Sequence, residues 1–514
     1  MKRPLTIRGR EGRSLLPVLC LLLALLACAA CGQDRGAASG DRGLVIGIGR
    51  DLYYGPDDRT YLHGSTHTWE ALTYLDGDLR PRPWLAQSWR SSDHGRVWDF
   101  FLRPGVRFHD GTPFTAADAA FCIDRVRKNP KYDPVDSYRD LIQVEALGPL
   151  HLRFTLKEPC PFFPGLVAQY NSPMVKPSAV DQAGRITRLV ATGPYRLKEV
   201  LPGYEVRLEA SPGYWGPKPA FRRVTFRLLM DAQTRVMALI AGDVDAVADV
   251  GAILPEQVPD LNHAAGIILK SREVATTHYL TFNCRRAPFD EVAARRWLLA
   301  AMARQNLVQR MAGRIAIPAH NTYSRLAKDY DFGLLRTPPE AGPPPAPPER
   351  PLVILLHGGT VQRWPYLDLA QAMQQMLAQA GLPAEIQVAE AGAYYQALKK
   401  GDYDLAMNPN TLMTGDPDFF YSYYLASDAP ANPGWHNPEA DRLIAAARRE
   451  MDPTRRLLML QGVEAIVNRE APIWPLFHER ALYAHGPRLA EFSMDYFFRP
   501  ALLSARPASA SKTP

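Results

Sequence analysis

From Leu352 to Met407 the chain alternates short apolar runs with longer helical patterns, in the order "LVILL", "YLDLAQAMQQMLAQAG", "AEIQVAEA", "AYYQALKKG" and "YDLAM". A strand that returns through a helix lies parallel to the one before it, and such crossovers cover a face of the sheet. This stretch is therefore expected to be a βαβαβ unit with parallel strands. Immediately before it, "RTPPEAGPPPAPPERP" (Arg336 to Pro351) is too proline-dense for regular helix or sheet and reads as a linker. No similarity recurs at a period of about 20–50 residues, which argues against a solenoid or propeller.

The first half has a different rhythm. "GLVIGIG" (Gly43 to Gly49) reads as a buried strand. "VWDFFLRPGVRF" alternates, and "HDG" after it is a turn, because Asp-Gly tolerates positive φ. "TAADAAFCIDRVRK" reads as a helix with Thr115 as N-cap and Asp118 in capping-box position. "VEALGPLHLRFTLKEP" is a hairpin turning at Gly148-Pro149, and "GYEVRLEA" and "FRRVTFRLL" are further strands. "DAQTRVMALIAGDVDAVADV" reads as helix, Gly-Asp turn and strand; "PFDEVAARRWLLAAMARQNLVQRMAG" is helical, with Gly313 near its end.

At 514 residues the length suits about two to four domain-sized units. The formal charge of +7 is concentrated at the front: Lys2, Arg3, Arg8, Arg10 and Arg13 against Glu11 make residues 1–27 net +4, which leaves +3 elsewhere. That remainder is too small and too evenly spread for nucleic-acid binding. The basic start and the apolar run "LLPVLCLLLALLA" form a secretory signal, shorter than the ~20 apolar residues of a membrane span. Leu25-Leu26-Ala27-Cys28 resembles a lipoprotein lipobox, which makes Cys28 the expected acylation site; Cys31 is a rival with Cys28 at its −3 position. Residues 28–42 are small and polar, a flexible tether. Cys122, Cys160 and Cys284 are widely spaced, with no CxxC or zinc-type cluster, and fit either one disulfide or buried thiols.

Catalytic motifs are missing. His109 and Asp110 are adjacent on an extended segment, so their side chains point apart and cannot form a relay. "LLHGGT" looks like an esterase oxyanion loop, but no G-x-S-x-G elbow accompanies it. His63 and His67 could share a face as a metal pair, but they lack the glutamate of H-E-x-x-H. There is no phosphate-binding glycine loop. Aromatic residues in predicted loops, among them Tyr214, Trp215, Trp364, Tyr421, Tyr423, Tyr424 and Trp435, suit either core packing or the walls of a ligand pocket.

The run "LRPRPWLAQSWRSSDHGRVWDFFLRPGVRFHDGTPFTAADAAFCIDRV" is followed by "ATGPYRL", "SPGYWGPKPAFRRVTFRLLMDAQTRVMALIAGDVDA", "HYLTFNCRRAPFDEVAARRWLLAAM", "GDYDLAM", "GDPDFFYSYY" and "NPEADRLIAAARR". In these motifs and their order the chain resembles the family 5 extracellular solute-binding proteins, receptors for peptide, nickel and opine ABC transporters, from about Gly43 to Phe498. The resemblance implies an α/β fold, a two-lobed periplasmic-binding-protein-like clamp of type II, cluster C. Lobe I is expected from residues 43–68, 190–281 and 470–505, with a strand-rich inserted subdomain at 69–189. Lobe II is expected at 282–469, including the linker 336–351, and a disordered tail at 506–514. The "RFHDGTPFTAAD" stretch is then scaffold. The implied partners are a small solute, an ABC permease with its ATPase subunits, and a membrane reached through the lipid anchor. The protein is expected as a monomer, with no cofactor and no catalysis, in the periplasm or at the cell surface.

For the ligand, peptide-binding relatives use an aspartate three residues before the Asp-Pro of the lobe II loop. Here that loop is "TLMTGDPDFF" and the position is Met413. Asp416 and Asp418 are the acids left to compensate, although Asp416 is also placed to cap the following helix. Trp435 and Tyr195 are aromatic wall candidates. "LVAQYNSPMVKPSAV" has no arginine where the nickel-type branch would clamp a chelator, and "DPDFF" has no histidine. Peptide or peptide-like amine leads; a metal chelate, another small solute or a sensing role without transport stays open.

Overall fold

A run that is apolar at every position makes a stable strand only when both of its faces are covered. β1 (Leu44–Ile48) meets this condition, buried throughout between parallel partners on both edges. The computed structural model describes residues 42–50, 66–129, 132–133, 137–168, 172–304, 306–319, 321–333 and 343–509. The signal 1–27, Cys28, nearly all of the tether, His63, residues 336–342 of the linker and the tail from 510 lie outside the described residues.

Past β1, β2 (Thr73–Leu75) pairs with β3 (Pro81–Pro83). Then β4 (Ala86–Ser92), β5 (Val97–Leu102), β6 (Leu141–Gly148) and β7 (His151–Leu156) form an antiparallel sheet in the order β4-β5-β7-β6. Helix Ala116–Arg127 packs on β6 and β7. Its capping box is formed: the Thr115 hydroxyl accepts from Asp118 N–H at 3.4 Å, and the Asp118 carboxylate accepts from Thr115 N–H at 2.8 Å. Phe154 meets Phe100 and Phe163 edge-on at 5.3 and 4.9 Å, in a core whose residues run from Trp69 to Ala191.

His109 and Asp110 serve this scaffold. The His109 imidazole bonds the Gly193 carbonyl at 3.1 Å, and Asp110 accepts from the Thr112 N–H at 3.1 Å and hydroxyl at 2.6 Å and pairs with Lys176. Gly111 takes the positive φ that the turn requires.

The chain then builds the large sheet with β8 (Tyr195–Leu201), β9 (Glu205–Ala210), β10 (Arg223–Leu228), β11 (Ala246–Val247) and β12 (Ile268–Phe282). β13 (Ala316–Pro318), β14 (Leu352–His357), β15 (Ala384–Ala389), β16 (Leu405–Thr411) and β17 (Ile473–His485) complete it. A last pair is β18 (Leu489–Glu491) with β19 (Arg506–Pro507), so the tail expected to be disordered from 506 instead begins with a paired strand. The order is β15-β14-β16-β12-β17-β11-β1-β10-β9-β8, with β13 also on β17. The βαβαβ unit is present as β14, helix Tyr366–Gln379, β15, helix Ala391–Lys400 and β16, with β14 parallel to both neighbours.

Two local expectations are modified. The helical run before Gly313 is broken into Val292–Arg304 and Leu307–Ala312, because Asn306 stands in the left-handed region at φ 51°. The strand after Gly242 shrinks to β11, where the Asp245 carboxylate accepts from Val45 N–H at 2.8 Å in place of a ladder bond. Cys122, Cys160 and Cys284 are free thiols. Among the described residues no helix is long and apolar enough to cross a membrane.

β12 and β17 are the longest strands, 15 and 13 residues. Ile268 to Glu273 pair with Arg480 to His485 beside β11, whereas Thr276 to Phe282 pair with β16. Their register shifts between Glu273 and Thr277, where one half of the sheet gives way to the other. Thr115→Ala is expected to cost about 1 kcal/mol of stability, read as a lower urea midpoint; an unchanged midpoint would show the capping box idle.

Candidate functional site

The loop that follows β16 comes back against the antiparallel subdomain. Gly415, at φ 74°, lies against the Leu79 carbonyl, where any β-carbon would clash, so this backbone approach needs glycine. The close fit puts Met413 on one wall of a cavity of about 320 Å³. The facing walls come from Trp69 to Leu75, Trp84, Tyr214 and the late segment Phe497 to Leu503.

Glu70 is the buried acid of this cavity. Its Oε1 accepts from Trp84 Nε1 at 2.8 Å and from the Tyr214 hydroxyl at 2.9 Å, and its Oε2 from Trp215 Nε1 at 3.1 Å. Burial outweighs these donors and pushes the carboxyl up to about 7. His67 meets the Pro500 carbonyl at 2.7 Å through Nε2, which must therefore carry the proton; burial and then the Arg499 charge push the imidazole down to about 4. Arg499 lines the same cavity, its Nε donating to Asp495 at 2.6 Å, and its terminal nitrogens donate to no described residue.

The residues expected at the site are only partly brought together. Met413 is on the cavity wall. Asp416 is held by Arg456 in a buried two-pronged pair at 2.7 and 2.8 Å, accepts from Tyr330 OH at 2.8 Å and caps Asp418 N–H at 2.9 Å, so its oxygens are spent on the fold. Asp418 accepts from the Ser422 hydroxyl at 3.2 Å and lies 3.4 Å from Arg448; burial pushes its carboxyl up. Trp435 packs in the core around the helices Pro438–Ala447 and Pro453–Glu470, with Nε1 donating to Glu470 at 2.8 Å. Tyr195 is fully buried in the large-sheet core, its hydroxyl donating to the Phe221 carbonyl at 2.9 Å. Tyr195 and Trp435 are thus packing residues, and neither lines this cavity. Glu70 and Arg499 were not singled out from sequence, where "HTWEALTY" and "FFRPA" look like ordinary amphipathic runs.

A second, larger cavity of about 740 Å³ opens over β14 and β16. Helix Ala391–Lys400 contributes Tyr394, Tyr395 and Lys399, the segment after Phe420 contributes Tyr423 and Tyr424, and β16 contributes Asn408 and Pro409. Val250, just past β11, closes it from the other half of the sheet. His357, at the end of β14, accepts from Gly359 N–H at 2.9 Å through Nδ1; burial and then the Arg363 charge hold its imidazole below the usual range.

Glu70 gives the fold a pH signature. Between pH 4.5 and about 7 the native carboxyl keeps a proton that the unfolded chain releases, so stability is greater at the acid end and falls as pH rises, by at most about 3 kcal/mol. Glu70→Gln is expected to flatten that slope in urea unfolding at pH 5, 6 and 7.5; an identical slope would assign it to other groups.

Residues 80–432 match the family described as bacterial extracellular solute-binding proteins, family 5 Middle. Glutathione-binding protein GsiB of Escherichia coli (strain K12) is 26% identical over 514 residues, covering 93% of this chain and 96% of that protein. Di/tripeptide-binding protein 2 of Pseudomonas aeruginosa (strain UCBPP-PA14) is 25% identical over 463 residues, 82% of this chain and 85% of its own. Among solved structures, NikA from Brucella suis in complex with Fe(III)-EDTA superposes with a TM-score of 0.78 at 21% identity, covering 90% of this chain and 100% of that one. DppA from Helicobacter pylori in complex with peptide STSA gives a TM-score of 0.75, also at 21% identity, over 90% and 98% of the two chains. With the match spanning most of the chain and the two-lobed α/β fold reproduced end to end, the protein belongs to family 5 of the bacterial extracellular solute-binding proteins.

Proposed function

We propose that this protein is the substrate-binding component of an ABC importer, capturing a peptide or peptide-like solute between its lobes and delivering it to a membrane permease. The observation that carries this reading is that both cavities take walls from both halves of the large sheet or its attached subdomain: Met413 faces Trp69 to Leu75, and Val250 faces the groove over β16. A solute held there touches both lobes at once, so it binds the closed arrangement better than the open one, and that difference is the only means by which a ligand can drive closure. The names of the relatives, glutathione-binding and di/tripeptide-binding, support the peptide class. Capture and release need no covalent chemistry. An acyl chain on Cys28 keeps the receptor at the membrane, each buried methylene contributing about 0.8 kcal/mol.

Isothermal titration of the purified protein with glutathione, a dipeptide and a tripeptide tests the reading. Saturable binding of at least one, with a rise in melting temperature, is expected. Silence toward all three, together with binding of a nickel-histidine complex, would move the protein to metal-chelate capture. For the anchor, Cys28→Ser is expected to abolish incorporation of a clickable palmitate analogue in cells, whereas Cys31→Ser keeps it; the reverse pattern relocates the acylated residue.

A further inference from the structure

We propose that the 740 Å³ cavity selects a peptide-like solute that carries a carboxylate at each of its two ends, a specificity that rests on the peptide reading and narrows it. The charge of the cavity is one-sided. Arg285, Arg363 and Lys399 line it, and no aspartate or glutamate stands among its described lining residues. Two arginines elsewhere, Arg350 and Arg456, are neutralised at close range, by Asp404 at 2.6 Å and by Asp416 at 2.7 Å. By contrast, Arg363 and Lys399 donate to no described residue, and Arg285 reaches only the Asn432 carbonyl, at 3.3 Å.

These cations stand at two poles. Arg285 follows β12, whose Phe282 pairs with Leu405 at the start of β16. Lys399 stands two residues before Gly401, whose backbone lies against the Arg285 guanidinium, which puts it toward the same pole. Arg363 lies beyond the end of β14, which runs parallel to β16 and pairs Leu356 with Met407, so it sits further along the strand direction. Next to it, Trp364 is 6% exposed, and its Nε1–H is buried without an acceptor. A buried donor of this kind is normally satisfied, and a ligand oxygen would satisfy it. Between the poles the walls are aromatic, with Tyr423 edge-on to Tyr424 at 4.7 Å and Asn408 donating to the Tyr424 hydroxyl at 3.0 Å.

A zwitterionic peptide would bring its ammonium group to one of these poles, where no lining residue is a carboxylate and the nearest acid, Glu390, stands beside His357 and Gly358; against the lining cations this is a like-charge contact that selects against it. A solute anionic at both ends meets a cation at each pole and lays its middle on the tyrosines.

The test is calorimetry on the full chain with two matched probes, N-succinyl-Ala-Ala and β-alanyl-Ala-Ala, which share a two-methylene spacer and end in a carboxylate and an ammonium respectively. The expected result is binding of the succinyl probe at least about tenfold tighter, with Arg363→Gln and Lys399→Gln each removing about tenfold of that affinity while the ligand-free melting temperature stays put. Equal or reversed affinities, or variants that bind the succinyl probe as well as the parent, overturn the charge assignment and leave peptide capture standing. If neither probe binds, the charge assignment is overturned, while the titrations with glutathione, a dipeptide and a tripeptide decide the peptide reading separately.

Discussion

The large sheet is continuous through β12 and β17. These strands are hydrogen-bonded to each other along most of their length and carry the large sheet from β11 on one side to β16 on the other. Their junction is polar inside. His278, wholly buried, bonds Tyr366 OH at 2.7 Å and Glu479 at 3.0 Å and stacks on Phe477 at 4.2 Å, while Thr277 bonds His478 at 2.9 Å. Such a network is stable only while every member keeps its partner, which fixes the pairing of the two strands. The ladder is interrupted only a few residues away, between Glu273 and Thr277, and there β13 supports β17 from its other edge at Phe477 to Glu479. A second register shift follows between His278 and Tyr279, beside the same network.

The fold also separates structural charge from available charge. The buried Asp416–Arg456 pair ties the loop before helix Asp418–Phe420 to helix Pro453–Glu470, and removing either partner would strand an ion in the core at a cost of about 3–5 kcal/mol. Asp404 does similar work for the end of the proline-rich linker, accepting from Arg350 and from Val353 N–H. These acids are consumed by packing, whereas the terminal nitrogens of Arg499 in the small cavity, and the side chains of Arg363 and Lys399 in the large one, donate to no described residue.

Much of the architecture was legible because it is periodic. β14 to β16 follow from apolar runs and helical spacing, and the Thr115 cap and the Gly148 hairpin follow from single residues with one dominant backbone preference. The site was less legible, because a cavity wall has no period. Tyr195 and Trp435 have the same residue types as Tyr214 and Trp364, and only the tertiary partner tells them apart: the Phe221 carbonyl and the Glu470 carboxylate absorb the first two. Asp416 carried both readings, ligand and cap, and the arginine that decides its role lies 40 residues further along. Arg363 is one basic residue among 60 in the sequence, and nothing local marks it as unpaired.

The two cavities are physically linked through β16. Its Asn408 and Pro409 line the large one, and the loop that leaves it at Thr411 carries Met413 to the small one. The same strand is paired with β12 just past the register shift, Thr276 with Thr411 and His278 with Pro409. A displacement at the shift therefore moves walls of both cavities together, while Glu70, Trp84 and Val250 belong to the opposing side. A solute spanning only one cavity would bias closure through one set of contacts; a solute reaching both would bias it through two, and the closed state would be favoured by their sum. Under the proposed capture by closure, that coupling would make the length of the ligand a determinant beside the proposed charge.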